Sequence, residues 1–374
     1  MVLPDYGGFE LGGVLPGALA ALGAAQVVTA RDASADQKRL EIPDARHVCI
    51  ALMDGLGKMN LEARRGHAPF LRSLPGVTAT AGFPSTTAAS LSLLGTGKTG
   101  GQTGMTGYTV RNPKTGKMAN LITWDGAEPA EEWQRQPSLL EEAHDIGVGV
   151  TALGKARFAG SGLTHAVLRG GLFVGAERLA DRIDVALGAM ANPGLSYMYW
   201  GEIDSAGHAF GWQSDEWTAA LEDADRELGR LAAGMPPGAV LVITADHGMV
   251  DVTGAPRWDV PEVPRLVDGV NFIAGEPRAL HVYADDPASV AARWQETLGE
   301  HAHVAVRDEA VEAGLFGEVL PEVRERIGDV VVAMAGRATV YDSRIQSAAA
   351  MGLVGVHGSL TRDEMTIPVL VATA

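Results

Sequence analysis

Short apolar runs that close on a turn recur along this chain, separated by longer stretches in which apolar residues return every three or four positions. The first run, "HVCIALMD" (47–54), is apolar without interruption and then meets Asp54 and a glycine-rich turn. A run that is short and unbroken by polar positions predicts a strand buried on both faces. "GVGVTAL" (147–153), "LSYMYW" (195–200) and "AVLVITAD" (239–246) have the same texture. Between them, "LEARRGHAPFLRSL" reads as an amphipathic helix, and further helical periodicity lies near 137–145, 176–191 and 214–233. Strands alternating with helices predict an α/β fold built on a largely parallel sheet covered on both faces.

The pattern changes from about 256 to 345. "ALHVYAD", a helical "PASVAARWQETLG", "HVAVRD" and "DVVVAMAG" form a strand-helix-strand-strand sequence of their own. They predict a small α+β insertion or cap within one domain spanning 1–374. "HGSLTRDEMTIPVLVA" then returns to the main sheet.

Composition narrows the class. With 374 residues, 46% hydrophobic and 20% charged, the chain has the profile of a globular protein with a sizeable core. A net charge of −16 repels a phosphate backbone and argues against nucleic acid as a partner. One cysteine, Cys49, excludes an intrachain disulfide. No segment reads as a signal peptide or is apolar over the length of a membrane span, so the expectation is a cytoplasmic protein without a membrane partner.

Gly97-Lys98-Thr99 ends like a nucleotide-binding P-loop, which makes an ATP-binding module the competing class. The required first glycine, five residues before Gly97, is Ser92. The context also differs, because "TTAASLSLLGTG" predicts a helix that ends at Gly95 or Gly97 where a P-loop would open one. "RGGLFVG" (169–175) likewise lacks a dinucleotide fingerprint.

Four other places share one property: an Asp or His just past a predicted strand or in a glycine-flanked turn. They are Asp54, Asp204 with His208 in "EIDSAGHAFG", Asp246 with His247 in "TADHGM", and His357 in "GVHGS". Strand ends of an open α/β sheet converge on one crevice, where three carboxylates repel unless cations separate them. Three Asp and three His suit zinc, with manganese or iron as alternatives, and divide into two three-ligand sets. Two such metals serve in-line phosphoryl displacement. Taken singly, each residue has a plain structural use, Asp54 as a turn carboxylate and the histidines as hydrogen-bonded packing residues. Jointly they point to a metal centre, catalytic or structural.

The ordered set of Asp54, "FPSTT" with a following "TG", "D-x-x-G-H", "DHG" and a late "G-x-HG" resembles the alkaline phosphatase superfamily, in particular its nucleotide pyrophosphatase/phosphodiesterase branch, over residues 47–370. The resemblance implies a three-layer α/β/α sandwich and two divalent metal ions, foremost zinc. It implies Asp54, Asp246 and His247 as ligands of one metal and Asp204, His208 and His357 as ligands of the other. The branch's nucleophile is the second threonine of P-[ST]-x-T, which is Thr87 here, expected also to touch metal. Thr96-Gly97 falls nine and ten residues after Thr87, as that register requires, leaving Thr86 and Ser85 as weaker candidates. The implied activity is that of a phosphodiesterase or nucleotide pyrophosphatase on a small phosphorylated substrate such as a nucleotide, through a phospho-threonine intermediate.

One feature departs from the branch. "TGMTGY" places Tyr108 where an asparagine donates to phosphate, so Tyr108 or Asn112 is expected to bind substrate, and a phosphomonoesterase or phosphonate hydrolase on the same metals is the alternative. Arg157 or Arg169 is a further phosphate-binding candidate. The tryptophans at 200, 212 and 217 are expected in core or pocket wall, with base stacking as the sharper alternative.

Overall fold

The computed structural model describes all residues, 1–374. Its centre is a seven-stranded sheet made of β1 (His47–Met53), β2 (Gly76–Thr80), β3 (Val150–Gly154), β4 (Leu172–Gly175), β5 (Gly194–Trp200), β6 (Ala239–Thr244) and the last strand of the chain, β11 (Thr366–Thr373). The strand order is β2-β11-β6-β1-β5-β3-β4. β1 is parallel to β5 and β6, β3 is parallel to β4 and β5, and β11 runs antiparallel to both its neighbours. All seven residues of β1 are buried, as expected of a central strand covered on both faces.

Helices α1 (Val14–Ala21), α2 (Thr87–Thr96) and α3 (Leu139–Asp145) pack together as one layer. Helices α4 (Leu179–Met190), α5 (Glu202–Phe210) and α6 (Asp215–Gly234) form the other. The result is the α/β/α sandwich of alkaline phosphatase-like proteins. The single helix expected across 61–74 is broken into Lys58–Ala63, a 3-10 turn at Arg65–His67 and Pro69–Ser73. Pro69 has no N–H for a continuing ladder and instead starts the last piece.

A second sheet, fully antiparallel, has the order β7 (Val270–Glu276), β8 (Ala279–Ala284), β10 (Val330–Met334), β9 (Ala302–Val306) and carries helix α7 (Pro287–Leu298). It has its own hydrophobic cluster around buried Trp294, Val282 and Val332. β7 escapes the sequence pattern because Asn271 and Gly275 interrupt its apolar positions.

Two buried polar contacts fasten this sheet to the rest. Arg278, on the β7–β8 turn, pairs through Nη2 with Glu364 at 2.7 Å while also donating to the carbonyls of Ala338 and Gly336, both charged side chains being fully buried. His281, on β8, donates from Nε2 to the Thr106 carbonyl at 2.8 Å and accepts at Nδ1 from the Gly328 N–H at 2.9 Å. An imidazole that must accept at one nitrogen is neutral, and burial pushes its pKa down to about 4.

Two stability measurements follow. Arg278→Ala strands a buried carboxylate and is expected to cost about 3–5 kcal/mol, read as a lower urea midpoint at unchanged m-value. His281 has a folded pKa below its unfolded value, so its contribution is complete above about pH 6.5 and is lost as pH falls toward 4. The stability difference between wild type and His281→Gln should therefore shrink by roughly 3 kcal/mol across that interval. A difference that does not change with pH would contradict this.

Candidate metal and phosphoryl-transfer site

The three adjacent parallel strands β6, β1 and β5 end in register, with Leu52 opposite Thr244 and Met53 opposite Trp200. Asp54 follows β1 directly, Asp246 and His247 follow β6, and Asp204 opens α5 after β5. β11 enters antiparallel, so the segment before it, which carries His357, arrives at the same edge. The connection after β2 brings Thr87 there too, as the first residue of α2.

On α5, Asp204 and His208 are one helical turn apart and share a face. The glycine between them is required by packing: a Cβ on Gly207 would lie 2.4 Å from Met249 Sδ. This lets α5 approach Gly355, whose carbonyl accepts from His208 Nδ1 at 2.7 Å. The other two imidazoles are held alike. His357 Nδ1 donates to the Ser85 carbonyl at 2.8 Å and His247 Nδ1 to the Gly248 carbonyl at 3.1 Å. A carbonyl only accepts, so each ring carries its proton on Nδ1 and turns Nε2 inward, as metal-ligating histidines do.

The Nε2 atoms converge on the carboxylates. His208 Nε2 is 3.4 Å from Asp204 Oδ2, and His357 Nε2 is 3.9 Å from Asp204 Oδ1. His247 Nε2 is 3.5 Å from Asp54 Oδ1, 3.4 Å from Asp246 Oδ2 and 3.3 Å from Thr87 Oγ1. Ligand atoms of Asp204, His208 and His357 lie within 4.8 Å of one another, and so do those of Asp54, Asp204 and His247. Asp204 thus reaches both groups, a sharing that a division into two separate triplets does not anticipate.

Whether these residues suit cations can be tested on their unmet needs. Asp54 Oδ1, Asp204 Oδ1 and Asp246 Oδ2 are buried and have no hydrogen-bond partner. The pKa of Asp54 is raised well above the carboxylate range by burial first, then by the charges of Asp246 and Asp204. Asp204 is also raised, chiefly by burial. His357 is driven well below its ordinary value by burial and by His247 and His208. His247 and His357 stack with ring centroids 3.5 Å apart. Orphaned carboxylate oxygens facing imidazole Nε2 atoms are what a pair of divalent cations would satisfy, and oxygen with nitrogen donors and no thiolate favours zinc, manganese or iron.

The three hydroxyls of "STT" are in different situations. Ser85 donates to the Ser359 carbonyl at 2.8 Å. Thr86 is the N-cap of α2 and lines the same cavity as Glu276. Thr87 faces open space at the helix N-terminus, where backbone N–H groups lack intrahelical acceptors. At the far end of α2, Gly97 (φ +66°) closes the helix, and Thr99 caps the next short one, Gly100–Thr103. Gly97-Lys98-Thr99 is therefore a helix exit, and Lys98 is bonded to Gln136.

Thr87 stands between two cavities. One, of about 440 Å³, holds Asp54, Asp204, His208 and His357 and is bordered by half-exposed Tyr108. The other, of about 460 Å³, is mostly apolar and runs past Leu91, Leu153, Leu163 and Phe173. Arg157, Phe158 and Tyr199 line both. Asn112 lies elsewhere, donating to the Gly126 carbonyl and accepting from Lys114 N–H, so it is spent on its own loop. Arg169 pairs with Glu141 at 2.8 Å and is away from both cavities. Trp200 and Trp217 are core, and Trp212 packs edge-on against Trp217.

Sequence reasoning missed Tyr199 and Glu276. Tyr199 donates its phenol to Asp54 Oδ2 and, being two residues from Tyr197 on β5, turns the same way into the crevice. The pair of tyrosines in "LSYMYW" was the available signal. Glu276 is carried by β7, for which no strand was read.

Fold and site together define a protein of the alkaline phosphatase superfamily. The chain belongs to the Type I phosphodiesterase / nucleotide pyrophosphatase family, whose profile matches residues 48–360. Among solved structures, murine ectonucleotide pyrophosphatase / phosphodiesterase 5 aligns with a TM-score of 0.69 at 17% identity, over 86% of this chain and 87% of that one. Phosphonoacetate hydrolase from Sinorhizobium meliloti 1021, in complex with phosphonoformate, aligns with a TM-score of 0.67 at 19% identity, over 88% and 91%. At these identities the likeness is one of fold. Phosphopentomutase of Anaeromyxobacter dehalogenans (strain 2CP-C) is 30% identical over 160 residues, 41% of this chain and 39% of that protein. That of Idiomarina loihiensis is 28% identical over 159 residues, 40% and 37%. The chain thus spans about two fifths of the length of these curated relatives. The family and these relatives are phosphoryl-transfer enzymes.

The raised pKa of Asp54 means that its ionisation opposes folding when no cation is bound: its contribution is present at low pH and lost as pH rises through the folded value. Asp54→Asn is accordingly expected to leave metal-free protein at least as stable as wild type, by thermal melting at pH 7.5, while losing most of the Tm increase that added zinc produces. A variant less stable without metal, or one with the full zinc increment, would contradict the assignment.

Proposed function

We propose that this protein is a two-metal phosphohydrolase that cleaves a phosphodiester or pyrophosphate bond through a phospho-threonine intermediate on Thr87. The observation that carries the reading is the convergence of three inward Nε2 atoms and three unpartnered carboxylate oxygens beside a threonine hydroxyl at a helix N-terminus. Asp54, Asp246 and His247, with Thr87, would hold one metal, and Asp204, His208 and His357 the other, with Asp204 near both. Bound divalent ions would lower the pKa of the threonine hydroxyl and neutralise charge on the phosphoryl oxygens.

The chain's own residues do the rest. The free N–H groups at the start of α2 offer hydrogen bonds and a positive field to the phosphoryl group. Tyr199 holds Asp54 in place through its hydroxyl. Arg157, at the junction of the two cavities, is placed to pair with a phosphate oxygen, and Tyr108 at the rim can donate its hydroxyl to another. The apolar cavity receives an organic substituent of the phosphate, with room for a small aromatic or nucleoside-sized group. Murine ectonucleotide pyrophosphatase / phosphodiesterase 5 has been seen in complex with AMP, which supports a small phosphorylated substrate such as a nucleotide. Residues 256–345 act as a cap on the single domain, and Glu276 of the second sheet lines the polar cavity.

The second reading, a phosphomonoesterase or phosphonate hydrolase on the same metals, rests on Tyr108 replacing the branch's asparagine. Steady-state comparison of bis(p-nitrophenyl) phosphate, p-nitrophenyl phosphate and phosphonoacetate decides between them, with the diester expected to have the highest kcat/KM. Thr87→Ala should lower kcat for the diester by at least about 10³-fold. Thr86→Ala should lower it far less. Full loss in Thr86→Ala with activity intact in Thr87→Ala would move the nucleophile by one residue.

A further inference from the structure

Glu276 is a buried carboxyl in the polar cavity for which the reading above has no use. It ends β7 and pairs in the ladder with Ala279. Only 8% of it is exposed, and Oε1 has no hydrogen-bond partner. Its obvious counter-ion is taken: Arg278, two residues on, is bound to Glu364. Oε2 lies 4.0 Å from His357 Nδ1, but that N–H is committed to the Ser85 carbonyl. Thr86 lines the same cavity, and a single hydroxyl could not satisfy both carboxylate oxygens.

The main domain makes room for this side chain. Gly358 has φ +133°, and a Cβ there would lie 2.7 Å from Glu276 Cδ. The glycine that follows His357 therefore seats the carboxyl against the cavity wall as well as turning the chain. An acceptor that is buried and left unpaired is destabilising, and a ligand donor would relieve it.

The cavity's two ends differ. Toward Arg157 and Phe158 it joins the apolar chamber, whereas Glu276, Pro277 and Gln346 form a wall outside that chamber. A phosphodiester has two substituents, and the apolar chamber accommodates one. We propose that Glu276 is a specificity-determining residue that accepts a hydrogen bond from a hydroxyl on the second substituent, so that the favoured substrate is a phosphodiester joining an apolar group to a polyol or sugar-like one. This deepens the phosphohydrolase reading and rests on it for the placement of phosphate.

The test uses a matched pair, 2,3-dihydroxypropyl p-nitrophenyl phosphate and propyl p-nitrophenyl phosphate, with the zinc-loaded full-length protein. Wild type is expected to prefer the dihydroxypropyl diester in kcat/KM by on the order of tenfold. Glu276→Ala should bring the ratio to within about twofold of unity, and Glu276→Gln, whose amide oxygen still accepts, should retain most of it. Loss of the ratio in both variants would indicate recognition of charge and overturn the hydroxyl assignment. A wild-type ratio near one, or a ratio unchanged in Glu276→Ala, would overturn it as well.

A binding arm separates this from the activity itself. In Thr87→Ala protein, glycerol 3-phosphate should raise Tm more than propyl phosphate at equal concentration, and the gap should close when Glu276→Ala is added. A gap that persists in the double variant or never appears would sink the proposal. No turnover of either diester, with the Tm gap present, would sink the phosphodiesterase reading and leave Glu276 as a hydroxyl-recognising residue.

Discussion

Mutual repulsion among Asp54, Asp204 and Asp246 is the constraint around which this molecule is arranged. Asp54 and Asp246 are buried and Asp204 is partly so, each keeps a buried oxygen with no partner, and burial with the neighbouring charges pushes Asp54 away from its ionised form. A fold gains nothing in stability from such a cluster, since apolar residues of similar volume would pack there without penalty. What justifies it is a ligand that supplies positive charge. The sheet order places β1 between β5 and β6 so that three parallel carboxyl ends deliver the acids to one spot, and the antiparallel β11 brings His357 to the same edge.

The second layer of the design is orientation. Each of the three imidazoles spends Nδ1 on a backbone carbonyl, and those carbonyls belong to Gly355, Gly248 and Ser85, three separate segments. The rings are thereby fixed before any ion arrives, which lowers the entropic cost of binding one. Gly207 permits the close approach of α5 to Gly355 that makes the first of these bonds. The same economy extends to the "STT" segment, where Ser85 anchors the loop, Thr86 lines the polar cavity with Glu276 and Thr87 is left to face both cavities.

The attached antiparallel sheet is more than a covering. It is tied down by the buried Arg278–Glu364 pair and by neutral His281, and it contributes Glu276 to the wall of the polar cavity. The apolar chamber on the other side of Thr87 is built entirely from the main domain, by residues from β3, α2 and the segment around Arg157 and Phe158. The two cavities beside Thr87 therefore have different origins in the chain and different polarity, so changes in the attached sheet can alter one while leaving the other as it is.

Much of this was open to reading from the linear chain, for local reasons. Short continuous apolar runs such as "HVCIALM" suit buried strands, and the acids that follow "HVCIALM" and "AVLVITA" belong to a common edge whatever the loops between them do. Helix α2 and its closure at Gly95 or Gly97 followed from small apolar residues and a terminal glycine, which disposed of the Gly-Lys-Thr resemblance, and the structure places the end at Gly97. Where local and long-range demands diverge, the chain alone was mute. Pro69 broke a helix that the periodicity of 61–74 suggested. β7 is held by its neighbour's ladder despite Asn271 and Gly275, so Glu276 stayed hidden. Asn112 had the right chemistry and the wrong address. That Asp204 lies within reach of both candidate ligand groups, that Tyr199 braces Asp54 and that Thr87 divides a polar from an apolar cavity depend on distances between residues far apart in sequence. Those distances exist only once the sheet, its helices and the attached sheet have packed.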